Sequence, residues 1–248
     1  MAIHYRTRGF VLKKDDLQEA DQVFTIFTKD FGKLKIIGKA IRKIKSKLRG
    51  GVEIFYLSEI EFIQGKNHKT LTDAIVIEKF KNIRNSPKKL KAVYQIAEIL
   101  DELVAGQEKD EKIWDLLTEV FGKLNEGTEF LSTLRNSVPL SRELLYYYFL
   151  WNLLSILGYQ IDLYNCANCQ KKLQPEKLYF IPEEGTICGE CLNEGEVISP
   201  DIIKILRLFL QKDWQTLSRL KIADSYEKSL EKISEDYLSY YQNYQKVG

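Results

Sequence analysis

The hydrophobic and polar positions of the 248-residue chain follow two periods, and the change between them falls near residues 80–87. Before it, apolar and polar residues alternate, as they do along a half-buried strand. Residues 7–12 form one such stretch, followed by a polar run over residues 13–21. Residues 23–28 (VFTIFT) are β-branched and aromatic. Lys29-Asp30-Phe31-Gly32 then turns the chain into residues 33–37, where Leu34 and Ile36 alternate with Lys33 and Lys35. Residues 52–63 predict a long strand in which Ile60 and Phe62 alternate with Glu59 and Glu61, leaving one face wet. Gly65-Lys66-Asn67 supplies a hairpin turn into a fifth strand over residues 70–77.

After the change the period is helical. Ser86 and Pro87 suit an N-cap and first helical position. Leu90, Val93, Ala97, Leu100 and Val104 then recur at steps of three and four up to Gly106, where the helix is expected to end. Ile113, Leu117, Val120 and Leu124 predict a second helix. Residues 141–157 are apolar nearly all round, so this helix belongs at the centre of a bundle, and its aromatic run Tyr146, Tyr147, Tyr148, Phe149 and Trp151 is core, not a base-stacking surface. Ser199-Pro200-Asp201 starts another helix and Asp213 a short one. The last helix carries Tyr226, Leu230, Ile233, Tyr237, Tyr240 and Tyr244.

The expected architecture is α+β and multidomain. A barrel domain spans residues 1–80, and an all-α helical domain spans 81–248. Five strands in about 75 residues suit a closed barrel, which leaves fewer raw edges than an open sheet. An OB-fold and an SH3-like barrel both fit that strand count, and the former is a common oligonucleotide platform.

Net charge is +2, but it is unevenly spread: residues 1–80 carry 16 Lys/Arg against 10 Asp/Glu, and residues 81–248 carry 21 against 25. The excess concentrates between the third and fourth strands. There Lys39, Arg42, Lys43, Lys45, Lys47 and Arg49 follow one another with no carboxylate and no aromatic residue among them. A dense one-sign run beside a strand suits a phosphate backbone, although a solvated loop has the same composition. Residues 1–8 lead into a charged strand pattern and not into an apolar leader. The longest apolar run, 144–157, is interrupted by Asn152 and Ser155 and is too short to span a bilayer. A cytoplasmic protein without membrane contact is expected, in which structural disulfides are rare.

That expectation bears on the four cysteines. Cys166-x2-Cys169 and Cys188-x2-Cys191 are separated by eighteen residues, the paired-knuckle spacing of tetrahedral zinc. Four thiolates saturate the ion and leave no position for water, so one structural Zn2+ is expected within a motif at residues 164–193. Gly189, Asn168 and Gly185 suit the turns around it. Redox CxxC pairs are the competing reading.

Catalysis has no comparable signal. No Gly-rich phosphate loop, HExxH or GxSxG occurs, and His4 and His68 fall in a terminus and a turn. Asp15-Asp16, a conceivable metal-binding pair, lies in a polar stretch where carboxylates are usually solvated. The chain reads as a binding protein, not an enzyme.

Arg6-Thr7-Arg8-Gly9-Phe10-Val11-Leu12, then Glu19-Ala20-Asp21 before a strand, then Phe31-Gly32-Lys33-Leu34, resemble the RecO family of bacterial recombination mediators. So do Lys45-Ser46-Lys47-Leu48-Arg49-Gly50, Leu71-Thr72-Asp73-Ala74, and Leu157-Gly158-Tyr159 ahead of the first cysteine pair. The resemblance implies an N-terminal OB-fold joined to a helical, zinc-bearing domain. It also implies that the protein binds single- and double-stranded DNA and anneals complementary strands. With RecR it would help load RecA onto DNA coated by single-stranded-DNA-binding protein, associating with the nucleoid when on DNA. The DNA-contact candidates under this resemblance are Lys35, Lys39, Arg42, Lys43, Lys45, Lys47 and Arg49, on a surface expected to combine the strand 2–3 face with the basic run. Arg8 suits a structural role or a DNA contact equally. From a different class, a zinc-ribbon adaptor in transcription or RNA binding shares these features but need not anneal strands.

Overall fold

The computed structural model describes residues 3–126, 142–192, 195–220 and 222–247, with side chains at 142, 143 and 244–247 outside that description. Five strands close into a barrel: β1 (His4–Leu17), β2 (Asp21–Thr28), β3 (Gly32–Gly38), β4 (Leu57–Gln64) and β5 (Lys69–Glu78). Their order around the barrel is β1-β2-β3-β5-β4. All neighbours are antiparallel except β3 and β5, which run parallel through Ile36–Lys69 and Ile37–Thr70. This arrangement is that of an OB-fold and resolves the two barrels that strand count alone allowed.

Alternation along the strands fills the interior. Val11, Phe24, Ile26, Leu34, Ile36, Ile60, Phe62 and Leu71 form one buried cluster. Two strand boundaries differ from expectation. The polar stretch after Leu12 is not a loop: β1 runs on to Leu17 past a bulge between Val11 and Lys13, and pairs Lys14 with Phe24 and Asp16 with Gln22. The charged residues 13–16 mask the alternation because this arm projects beyond the apolar interior. Conversely, residues 52–56 are not part of β4. A 3-10 turn (Arg49–Gly51) precedes them and Phe55 takes a left-handed φ of 65°. Their apolar side chains serve two cores, Val52 inside the barrel and Phe55 outside it against Tyr94 and Phe121.

That outer core ties three helices to the barrel: α1 (Lys81–Arg84), α2 (Pro87–Leu103) and α3 (Glu111–Asn125). Phe10, on the outward face of β1, meets Phe80, Trp114 and Phe121 at ring separations of 6.0, 5.2 and 4.9 Å. Lys33 crosses from β3 to ion-pair with Asp101 of α2 at 3.1 Å. Gly32, at φ +61°, leaves room for the Glu108 carbonyl, which a Cβ would meet at 2.2 Å. The chain thus forms one compact unit over Met1–Glu126 and a second over Gly127–Gly248. Ser86 occupies the N-cap of α2 in extended geometry, but its hydroxyl makes no capping bond. At the other end of α2, Val104 is already extended, two residues before Gly106.

In the second unit, α4 (Arg142–Ile156) is the central helix, and Ser141, expected at its start, lies outside the described residues. Its aromatic run is core, as expected: Trp151 stacks on Tyr237 of α7 (Asp224–Val247) at 4.9 Å and donates through Nε1 to Ser234 Oγ at 2.9 Å. Asn152 is buried too, donating to the carbonyls of Tyr148 and of Phe209 in α5 (Pro200–Gln211). The Ser199 and Asp213 side chains cap α5 and the short α6 (Trp214–Leu217) as their sequences suggest. The Tyr244 side chain lies outside the described residues. Between α4 and α5 in the chain, β6 (Leu178–Ile181), β7 (Gly185–Cys188) and β8 (Val197–Ile198) form a small sheet of order β7-β6-β8.

Candidate nucleic-acid interface and metal centre

Residues 39–56 link β3 to β4, and 39–51 of this link form an arc with both feet fixed. At the first foot the Ala40 N–H donates to Asp21 Oδ1 at 2.7 Å and the Arg42 N–H to the Ala20 carbonyl at 3.0 Å, while Ile41 is buried in the barrel cluster. At the second, the Gly51 N–H donates to the Leu48 carbonyl and Ser58 Oγ donates to the Gly51 carbonyl at 2.6 Å, with Val52 buried. Gly51 is required there because a Cβ would lie 2.1 Å from the Ala74 carbonyl oxygen.

Between the feet the chain is exposed. Lys39, Arg42, Lys43, Lys45, Lys47 and Arg49 all reach solvent, as does Ile44, which is 95% exposed. Arg42 is ion-paired with Asp16 at 3.1 Å. Lys35, Lys39, Lys43, Lys45, Lys47 and Arg49 make no ion pair among the described residues. A set of exposed, unneutralised cations is what counterion release from a phosphate backbone requires.

The strand 2–3 face contributes less than expected. On its outward side Thr25 and Phe27 are buried, and Lys33, opposite Phe27, is held by Asp101 of α2. Lys35 stays exposed and is the cation this face adds. The connecting turns at 18–20 and 65–68 are short. The basic surface is therefore centred on the arc, with the charge-balanced β1–β2 arm facing it. Asp15 and Asp16 sit on that arm and are engaged with cations, Asp15 with Lys13 at 3.6 Å and Asp16 with Arg42. Arg8 is exposed on the outside of β1.

A cavity of about 290 Å³ opens between arm and arc. Lys14, Gln22, Arg42, Arg49 and Glu53 provide its polar lining, and Phe24, Ile41 and Val52 its apolar lining. Lys14 and Glu53 are ion-paired at 2.8 Å. Lys14 and Gln22 are not apparent from sequence, because they become neighbours of the basic run only through the β1–β2 register.

In the second unit the four cysteines converge, with all four Sγ atoms within 4.8 Å of one another. Cys169 and Cys188 are 3.8 Å apart. That is about the edge of a tetrahedron with Zn–S bonds of roughly 2.3 Å. Each knuckle is a backbone turn. The Gln170 N–H donates to the Cys166 carbonyl, the Cys191 N–H to the Cys188 carbonyl, and the Cys188 N–H to Cys166 Sγ at 3.4 Å. Of the residues expected to ease these turns, Gly185 takes a left-handed φ of 106°, whereas in the first knuckle it is Gln170, not Asn168, that does so. Gly189 is needed for space, since a Cβ would lie 2.9 Å from the Lys177 carbonyl oxygen. Burial opposes ionisation of Cys166, yet the backbone N–H groups of Cys169, Cys188 and Asn168 stabilise its thiolate and hold its pKa down to about 6. Cys191, sharing protons with Cys169 and Cys188, is pushed up to about 12. The cluster could hold a metal ion. Among the described residues no helix is long and apolar enough to cross a membrane.

Barrel order, basic arc and cysteine cluster define a protein with an N-terminal OB-like barrel and a helical region bearing a candidate metal site. Family models for the N-terminal domain of recombination protein O match residues 1–80, and those for its C-terminal domain match 84–245. The chain is 32% identical over 221 residues to the DNA repair protein RecO of Dehalococcoides mccartyi strain CBDB1, covering 88% of this chain and 83% of that one. It is 28% identical over 241 residues to its counterpart in Desulforamulus reducens, covering 96% and 89%, and 27% identical over 238 residues to that of Roseiflexus sp. RS-1, covering 94% and 80%. The chain belongs to the RecO family of DNA repair and recombination proteins.

Proposed function

We propose that this chain is a recombination mediator without catalytic activity that binds single- and double-stranded DNA through the basic arc and anneals complementary strands. With RecR it helps RecA load onto DNA coated by single-stranded-DNA-binding protein, acting in the cytoplasm and associating with the nucleoid when on DNA. One Zn2+ held by Cys166, Cys169, Cys188 and Cys191 supports the fold of the second unit and takes no part in strand pairing.

The observation that carries this reading is the fixed arc with exposed, unneutralised cations. Annealing needs no reacting group. It needs the repulsion between two phosphate backbones reduced while the bases stay free to pair, which favours phosphate contacts over stacking. Lys35, Lys39, Lys43, Lys45, Lys47 and Arg49 supply that charge, and no aromatic residue lies between Lys39 and Arg49. Contacts to about six phosphates give a slope of log K against log salt of roughly −4 on single strands. Charge reversal at Lys43, Lys45 and Lys47, none of which is tied into the barrel, is expected to abolish annealing and flatten that slope. Metal content and thermal unfolding stay unchanged. Annealing at the wild-type rate would refute the assignment, and DNA binding without annealing by the wild type would favour an adaptor. Pull-down of RecR and single-stranded-DNA-binding protein by the full chain tests the partners.

A further inference from the structure

The cavity between arm and arc is distinct from the exposed lysines and is built differently. Alternation along β1 and β2 places Lys14, paired with Phe24, and Gln22, paired with Asp16, on the continuation of the barrel's inner face. Across from them stand Arg42 and Arg49, one from each end of the arc and each close to a fixed foot. Two carboxylates position the cations: Glu53 holds Lys14 at 2.8 Å and Asp16 holds Arg42 at 3.1 Å, while Gln22 Nε2 donates to Asp16 Oδ1 at 2.9 Å. Three cations against two carboxylates leave one net positive charge. At about 290 Å³ the space is just below the small-molecule range of roughly 300–1,000 Å³. It has room for one nucleotide unit, not for a length of strand.

We propose that this cavity seats a single phosphodiester of the bound strand, gripped jointly by Lys14, Arg42 and Arg49 with Gln22 as a neutral donor. The proposal rests on the DNA-binding reading above and adds a fixed anchor to it. The residual charge selects the ligand: a diester carries one negative charge, whereas a terminal monoester carries up to two and would face Glu53. The exposed lysines follow the strand on either side, and the anchor fixes where the strand sits. A phosphate held this way leaves its base outside the cavity, free to pair.

The shared grip gives the test. Lys14→Gln paired with Glu53→Gln, which removes the cation without freeing a carboxylate, should lower the magnitude of the salt slope on single-stranded DNA by about 0.7, the loss of one phosphate. Arg49→Gln should do the same. Combining them should still cost about 0.7, because both hold the same phosphate, while Lys91→Gln on the exposed face of α2 changes nothing. A combined loss of about 1.4, or no loss, overturns the shared site. In a second arm, dimethyl phosphate, a singly charged diester, is titrated into 15N-labelled full-length protein. Saturable shifts of the Gln22 side-chain amide and the Arg49 Nε–H, absent with chloride at equal ionic strength, are expected. Methyl phosphate, the monoester dianion, should shift them less. No shift beyond that of chloride, or stronger binding of the monoester, refutes the diester site. If the wild type bound no DNA, the functional reading would fail, and the titration would still decide the cavity.

Discussion

Glu61 shows how single residues on the wet face of β4 add stability. Its carboxylate is bonded to His4 Nδ1 at 2.9 Å, accepts from Arg6 Nη2 at 3.0 Å, and accepts from Thr72 Oγ1 at 3.0 Å. These bonds, that to His4 foremost, hold it down from 4.5 to about 2. A carboxylate with a depressed folded-state pKa stabilises the fold above its unfolded value, and that contribution is lost as pH falls through the folded value. The unfolding temperature of Glu61→Gln should therefore lie below wild type at neutral pH, with the gap closing between about pH 4.5 and 2. A gap that persists unchanged to pH 2 would show that the bonds do not favour the ionised form. A steric case is Gly51, whose missing Cβ is what lets the second foot of the arc pass the Ala74 carbonyl. Gly51→Ala must displace backbone, at a cost of about 1–3 kcal/mol. Urea unfolding should register that loss, together with weaker DNA binding as the arc shifts; unchanged stability would mean that the foot is not fixed.

At the scale of elements, legibility followed the range of the signal. The five strands and the cysteine pairs could be read because alternation and CxxC spacing are local. The end of β1 was hidden, since Lys13-Lys14-Asp15-Asp16 alternates only with respect to a cavity that the arc completes from residues 41–53. Phe10-Val11-Leu12 concealed a second core in the same way: β1 is buried on both faces there, so alternation stops where packing is densest. The basic run was visible as charge, but which of its cations are neutralised depends on register, which pairs Arg42 with Asp16 and leaves Lys43, Lys45 and Lys47 without an ion pair among the described residues. The cysteine segment also carries its own apolar residues, with Leu178, Tyr179, Phe180 and Ile187 buried. With zinc bound by four thiolates, a chelator should therefore loosen this segment without unfolding the second unit. The expected result is about one zinc per chain by elemental analysis, with chelation costing amide protection over residues 164–193 while α4 and α7 keep theirs. Zinc well under one per chain would falsify the metal assignment.

For the whole molecule, the compact first unit reaches Glu126, well past the residue 80 at which charge sign and hydrophobic period change. The reason is the outer core: Phe10, Phe55 and Phe80 are covered by Trp114, Phe121 and Tyr94 from α2 and α3. Burial of each phenylalanine contributes roughly 1.5–3 kcal/mol, a large share of the 5–15 kcal/mol typical of a domain. A fragment of residues 1–80 retains every barrel strand and every cation of the arc, yet uncovers that apolar face. It also loses the Lys33–Asp101 ion pair, leaving Lys33 without its carboxylate. A fragment of residues 1–126 keeps both. The longer fragment is expected to unfold in one cooperative transition and to bind single-stranded DNA with the salt slope of the full chain. The shorter one should unfold at much lower denaturant or self-associate through the exposed phenylalanines. Equal stability of the two fragments would mean that the helices ride on a self-sufficient barrel. Weaker DNA binding by a cooperatively folded 1–126 fragment would instead place part of the DNA interface in the second unit.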